Sequence, residues 1–457
     1  MSHRTHFSHF DFHALHWNSA AMAIILTLLF LILLFVFLTI TAQPAQGQQV
    51  IHNFTGGADG AWPYAGVTMD QAGNLYGTAI AGGAAGLGTV FRMSAVDGPW
   101  VLVPIYAFRG GNDGSYPSAR VILGADGNLY GTTYGGGSDG CGGNGCGTVF
   151  RLRPSATPPP TATRGWPETV LYRFTGGADG ATPSFGDLTF DSAGNIYGTT
   201  TFGGNDGYGV VFELSPSGGG WTESVLYNFN GDTGGYPYSG VIFDTAGNLY
   251  GTTSAGGTYR DGTVYELSPS ANGWVETVLY DFPAGIWGGT PLGGLTFTSN
   301  GELAGTSAGS ANGGYAGTAF LLGHSGSTWS MDYVQGFGSG SYYYGGAGPW
   351  ASAIAKPGPY GKDNIYGTTY ASGDYGYGSV FAMYWECEGC YCTWYLESSN
   401  FTADNPYPIS SLVSDANGNM YGTTSGYSPN YVSYGSVFET WLGERSRVHP
   451  ESECTKQ

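Results

Sequence analysis

Between residues 50 and 441 the chain alternates short apolar runs with clusters of Gly, Asn, Asp and Ser, and the alternation recurs with a long period. The fourth copy shows the unit most plainly. Residues 240–244 (Gly-Val-Ile-Phe-Asp) predict a short first strand, and residues 244–248 a hairpin turn in which Gly247 supplies a positive φ. A second strand is predicted over 248–253, a glycine-rich loop over 254–261 and a third strand over 262–267. A turn over 268–273 then leads to a fourth strand over 278–282. Apolar residues fall on both faces of these strands, as in sheets covered on both sides. Ahead of the repeats, residues 20–40 are apolar apart from Thr27 and Thr39, matching the ~20 residues that cross a bilayer.

The anchor of the repeat is Asn-Leu-Tyr-Gly-Thr. It begins at Asn74, Asn128, Asn195, Asn248, Asn364 and Asn419, with a degenerate copy from Glu302 in which Ala304 replaces the tyrosine. Successive copies lie about 54 residues apart, stretched before Tyr197 by a proline-rich insert containing Pro158, Pro159 and Pro160. Four short strands per copy, seven times over, define an all-β, seven-bladed β-propeller of four-stranded blades. The ends support a closed ring. Val50-Ile51-His52-Asn53-Phe54 matches the fourth-strand segment Val225-Leu226-Tyr227-Asn228-Phe229, while the last copy stops after its third strand at Trp441. The N-terminal strand is therefore expected to complete the last blade, which removes open sheet edges. A linear solenoid is the competing architecture; it needs caps, and none is evident.

The Asp-x-x-Gly-Asn-Leu-Tyr-Gly-Thr-Thr core and the Gly-Thr-Val-Phe strand resemble the GloVer (Gloeo/Verruco) tandem-repeat family of exported bacterial proteins over about residues 50–441. Copies five and six depart from the pattern at Ala304 and over residues 342–362. The resemblance implies a propeller-like repeat architecture and export, and it implies no particular activity.

Composition refines the picture. Glycine is 81 of 457 residues against a usual ~7%, yet aromatics reach 15%, which fits tight turns between short strands better than disorder. The formal charge of −19 and only three lysines exclude a nucleic-acid partner, which needs clustered cations. Arg4 precedes the apolar run and the next basic residue is Arg92, so the chain beyond the run is expected on the far side of a membrane. Residues 1–19 form a cytoplasmic n-region, 20–42 a hydrophobic helix that is either a cleaved signal peptide or a retained anchor, 50–442 the propeller and 443–457 a polar tail without a sorting anchor. The expected protein is a secreted or membrane-anchored monomer whose only membrane contact is that helix.

Six cysteines in an exported chain read as disulfides. Cys141 and Cys146 flank a flexible Gly-Gly-Asn-Gly loop, and the cluster Cys387, Cys390 and Cys392 leaves one cysteine over, for which Cys454 is the natural partner. A four-cysteine zinc site at the cluster is the alternative.

Strand order places the loops after strands two and four on one face. Those loops carry the candidate ligand-binding residues Asp59, Trp62, Asp113, Tyr116, Asp179, Asp206, Tyr208, Asp232 and Tyr236, a mixture of aromatics and carboxylates suited to stacking on sugars and bonding their hydroxyls. The bland reading is that Asp-Gly and Gly-Gly merely build turns, and it is the stronger one for the aspartates of the opposite face. No cofactor is expected; residues 56–60 and 203–207 offer oxygens for calcium without the nine-residue period of calcium repeats. Catalytic constellations are poor. Beyond the apolar run only His52, His324 and His449 occur, and Gly136-Gly137-Ser138-Asp139-Gly140 fits the nucleophile-elbow pattern only by its glycines. Glu168, Glu223 and Glu276 recur ahead of strand four and read as structural. The expectation is a non-catalytic binding scaffold for carbohydrate or another exported protein, with a polysaccharide hydrolase or lyase, or a structural envelope protein, as alternatives.

Overall fold

A computed structural model describes residues 47–442 except 96–97, 156–164, 284–287, 310–315, 339–347, 372–375, 389–390, 405 and 429–430. The hydrophobic helix expected over 20–42, the polar tail 443–457 and Cys390 and Cys454 lie outside the described residues. Seven four-stranded antiparallel sheets succeed one another along the chain and close into a propeller ring. Six of them use consecutive strands. The seventh takes its first three strands from the C-terminal end and its fourth from Gly47–Asn53, which pairs with Ser436–Trp441. The closure expected from the matching ends is thus the observed one.

In the fourth blade the strands are Ile242–Phe243, Leu249–Thr253, Thr263–Ser270 and Gly273–Asp281. The outer hairpin is longer than its sequence predicts. Pairing continues through Ser268↔Val275, Pro269↔Trp274 and Ser270↔Gly273 to a two-residue turn, and the Ser270 hydroxyl donates to the Gly273 carbonyl at 2.6 Å. The second strand is buried at every position, and its glycine has a packing reason. In the first blade a methyl group on Gly77 would lie 2.5 Å from Phe91 Cζ, so the glycine of Leu-Tyr-Gly-Thr makes room for the phenylalanine of Gly-Thr-Val-Phe one strand away.

The first turn of each regular blade is a carboxylate clasp. Asp70 accepts from the backbone N–H groups of Ala72 and Asn74, from Asn74 Nδ2 at 2.7 Å and from the Tyr76 hydroxyl at 3.0 Å. The same clasp is built on Asp191, Asp244 and Asp415, and in the second blade Asp126, two residues later in its turn, accepts from Asn128 and the Tyr130 hydroxyl. Partial burial opposes ionisation of Asp70, but these donors outweigh it and hold the carboxyl below its usual range, while burial and the Asp70 charge push Tyr76 up to about 12. The turn-forming reading of these aspartates is the one the contacts support.

Neighbouring blades are stitched by backbone. The residue before the proline that opens each blade has a left-handed φ: Trp62, Tyr116, Thr182, Tyr236, Thr290 and Tyr407, with Gly348 in the sixth blade. Each donates its N–H to the blade before it, as Trp62 to the Tyr434 carbonyl and Tyr236 to the Tyr208 carbonyl, both at 2.8 Å. Its own carbonyl accepts from the end of strand two, as from Ser254 to Tyr236. Two hydrogen bonds over-determine each strained residue, which is how such conformations persist. In five blades the threonine of Tyr-Gly-Thr, or of Ala304-Gly305-Thr306 in the fifth, also donates to the next blade, as Thr78 to the Ala119 carbonyl and Thr252 to the Gly293 carbonyl, both at 3.0 Å. At the other two junctions Thr132 and Thr423 are buried with a hydroxyl that has no partner among the described residues.

Candidate functional site

Strand one of every blade lies innermost, so the seven stretches running into it surround the axis. They enclose a channel of about 970 Å³. The loop-face end is a collar of Tyr64, Phe185, Tyr238 and Trp350, completed by Ser118, Leu292 and Ile409. Phe185 and Trp350 are 45% and 40% exposed, and Phe185 leans on Tyr238 with ring centroids 6.2 Å apart. Two residues further along, Gly240, Gly294, Ser352 and Ser411 line a waist with almost no side chain, and deeper still Ile122, Thr189, Ile242, Thr296 and Ile354 form a β-branched floor. Large, small and branched layers leave open space behind an aromatic rim.

Two waist positions break the pattern. Arg120 in the second blade and Asp187 in the third lie there instead of Gly or Ser, and Arg120 Nη2 and Nε both donate to Asp187 Oδ2, at 2.6 and 3.0 Å. Aligning the copies on the blade-opening proline would have exposed this departure in the sequence. Six copies place the first buried strand residue four positions after the proline, as Pro117 to Val121, whereas the third runs from Pro183 to Leu188 and holds one extra residue.

The residues singled out by sequence sit on the same face but further from the axis, in successive loops. Asp59 closes its own loop, accepting from Thr55 N at 2.9 Å and from Thr55 Oγ1 at 2.5 Å, and it lies 3.2 Å from His52 Nε2. Asp179 repeats the arrangement with Thr175 and the Tyr172 hydroxyl, and Asp113 with Arg109 N and the Tyr106 hydroxyl. Asp206 and Asp232 are exposed on loops. Trp62, Tyr116 and Tyr236 are the blade-opening residues with left-handed φ described above. Tyr208 packs on the next blade's loop, where a methyl on Gly231 would come 2.8 Å from its ring, and the structure brings it to Tyr236 at 5.3 Å. Phe202 joins Tyr236 at 5.5 Å, forming an outer aromatic cluster. A second aromatic ladder runs outward from the collar: Trp350 stacks on Tyr370 at 4.4 Å, and Tyr370 on Tyr407 at 4.9 Å.

At the blade junctions, Glu168 and Glu223 occupy equivalent places, each beside the loop aspartate and strand-four tyrosine of the preceding blade. Burial, reinforced by the Asp113 and Asp179 charges respectively, pushes both carboxyls up to about 7. Glu276, in the same place one blade on, accepts from the Tyr227 hydroxyl at 2.6 Å. Recurrence in three consecutive blades makes these glutamates parts of the junction, in line with the structural reading of their sequence.

Cys141 and Cys146 form the expected disulfide, which covers Gly176 of the next blade's loop. Cys387 is bonded to Cys392 across the sixth blade's outer hairpin, which takes two members out of the cysteine cluster considered for zinc. Among the described residues no group of three or more His, Cys, Asp or Glu is placed to hold a metal ion.

A closed ring of seven four-stranded blades around an axial cavity defines a β-propeller. The chain belongs to the Gloeobacter/Verrucomicrobia repeat family, whose model matches residues 39–158 and 140–349. No curated protein matches it. Among solved structures it is similar to a protein of unknown function from Dyadobacter fermentans, at 14% identity and a TM-score of 0.40, covering 87% of this chain and 98% of that one. It is also similar to an ulvan lyase of polysaccharide lyase family PL25, at 12% identity and a TM-score of 0.46 over 85% and 95% of the two chains. The NanB sialidase of Streptococcus pneumoniae matches at 11% and 0.43 over 86% and 70%. These are likenesses at low identity, and no chemistry passes from them to this chain.

Proposed function

We propose that this protein is an exported, non-catalytic propeller that binds neutral carbohydrate at the collar of its axial channel. One observation carries the reading: blades that repeat one another in their strands and clasps diverge at the collar, where they present Tyr64, Phe185, Tyr238 and Trp350 around an open cavity. Aromatic faces stack on the apolar faces of sugar rings, and the hydroxyls of tyrosine and serine bond sugar hydroxyls. The formal charge of −19 disfavours acidic polysaccharides. Action outside the cytoplasm is supported by the apolar run of residues 20–40 and by two disulfides in the propeller.

The test is a pull-down of the purified chain from residue 46 onward against insoluble neutral and acidic polysaccharides, with the supernatants assayed for new reducing ends. Retention on a neutral polysaccharide, lost in Trp350→Ala and Tyr238→Ala variants that unfold at the wild-type temperature, is the expected result. Release of reducing ends, or retention indifferent to both substitutions, overturns the reading.

A further inference from the structure

Resting on that reading, we infer that Arg120 and Asp187 form a built subsite that grips a vicinal diol on the terminal residue of a neutral glycan inserted end-on into the channel.

The subsite is an exception to the repeat. At the waist the other blades offer Gly or Ser, so nothing in the propeller's architecture calls for charge there. The third blade reaches Asp187 only through its extra residue, and that residue has a structural consequence. Phe185, in the inserted stretch, has a φ of 60°, and it is not one of the blade-opening positions where every blade shows a left-handed residue. Local departures that make the fold no tighter mark functional positions.

The pair's chemistry selects the ligand. Both Arg120 donors converge on Asp187 Oδ2, and no further hydrogen bond from the described residues reaches Asp187 Oδ1 or leaves Arg120 Nη1. One acceptor, Asp187 Oδ1, and one donor, Arg120 Nη1, therefore keep hydrogen-bonding capacity on the channel wall, with the charges of the pair mutually compensated. Adjacent hydroxyls of a pyranose match that couple: one donates to Oδ1 while its neighbour accepts from Nη1. A net-neutral pair has no charge left to repay the desolvation of an ionic ligand. Ser118, two residues before Arg120 on the same wall, is fully buried with an unpartnered Oγ, a further polar group at this place. The entry route follows from topology. The ring is closed by Gly47–Asn53, so the interior of a polysaccharide cannot enter sideways, and the channel admits a chain end past the collar.

The test uses isothermal titration of the chain from residue 46 onward with the hexasaccharides of β-1,4-glucan, β-1,3-glucan, β-1,4-xylan and β-1,4-mannan. The variant is Arg120→Ser/Asp187→Ser. It removes both charges together, leaves neither unpaired and installs the residue that Ser352 and Ser411 already supply at the waist. For a hexasaccharide that binds, the double variant is expected to weaken affinity at least tenfold. Removing every vicinal diol of the entering terminal residue, with a 3-deoxy sugar at the non-reducing end or a 2-deoxy sugar at the reducing end, is expected to do the same. Binding that needs Trp350 but changes less than twofold in the double variant, or that tolerates both the 3-deoxy sugar at the non-reducing end and the 2-deoxy sugar at the reducing end, overturns the subsite and leaves the collar reading standing. Binding of none of the four overturns the collar reading and the subsite with it. Should the double variant fail to fold, the deoxy-sugar titrations on the wild-type chain decide alone.

Discussion

Pro63 lies against Gly435, although they stand at opposite ends of the propeller's sequence: a methyl group on Gly435 would come within 2.6 Å of Pro63 Cδ. The contact recurs at every blade junction, as Pro117 on Gly88 and Pro291 on Gly262. The glycine of Gly-Thr-Val-Phe is thus required by the proline that opens the next blade, and a positive φ of 85° at Gly435 adds to the constraint. Gly435→Ala is expected to destabilise the propeller by about 2–4 kcal/mol, from left-handed strain plus overpacking. Chemical denaturation compared with Gly247→Ala, a positive-φ glycine with open space around it, separates the two contributions.

Ring closure by the N-terminal strand makes a sharper prediction. A chain beginning at Gln46 keeps the Val50↔Phe438 and Asn53↔Ser436 pairs, whereas one beginning at Thr55 leaves the edge of Ser436–Trp441 unpaired and uncovers Phe438. The shorter chain is expected to aggregate or to lose its cooperative transition, because a bare apolar strand edge is a template for association. Size-exclusion chromatography and thermal melts of the two chains check this.

Stability should depend on pH in two opposite ways. Glu168 and Glu223, at about 7 when folded, favour the protonated form more than the unfolded chain does, so their contribution is complete below the ordinary glutamate value of 4.5 and is lost as pH rises to about 7. The clasp aspartates, held below 3.8, contribute fully above that value and lose their contribution as pH falls. Melting temperature is expected to peak near pH 4–5, and Glu168→Gln/Glu223→Gln to flatten the decline toward neutrality. An unchanged slope in that variant would show that the glutamates titrate normally.

The disulfide between Cys141 and Cys146 closes a short loop over Gly176, and loop-closure entropy assigns it about 2 kcal/mol. A Cys141→Ser/Cys146→Ser variant is expected to melt a few degrees lower. Accelerated proteolysis of the loop around Gly140 would locate the loosening in the second blade.

Much of the architecture is legible one copy at a time. The Asp70–Asn74–Tyr76 clasp, the all-buried second strand and the strand Gly47–Asn53 that completes the last blade are encoded in residues a few positions apart, or in one pattern met twice, so the periodicity of the chain by itself determines seven blades and their closure. The outer hairpins extend beyond what the sequence predicts because Ser268, Pro269 and Ser270 resemble turn residues until their partners are known. The site is of another kind. Tyr64, Arg120, Asp187, Tyr238 and Trp350 come from five blades, and each precedes a first strand too short to show which side faces the axis. Loop aspartates such as Asp59 and Asp179 are conspicuous in the sequence, but their oxygens are taken up by Thr55 and Thr175. Only closing the ring turns seven separate segments toward one axis. The rim, the small-residue waist and the ion pair between Arg120 and Asp187 therefore belong to the tertiary structure, because strand pairing is decided locally and convergence on an axis is decided by the whole circle.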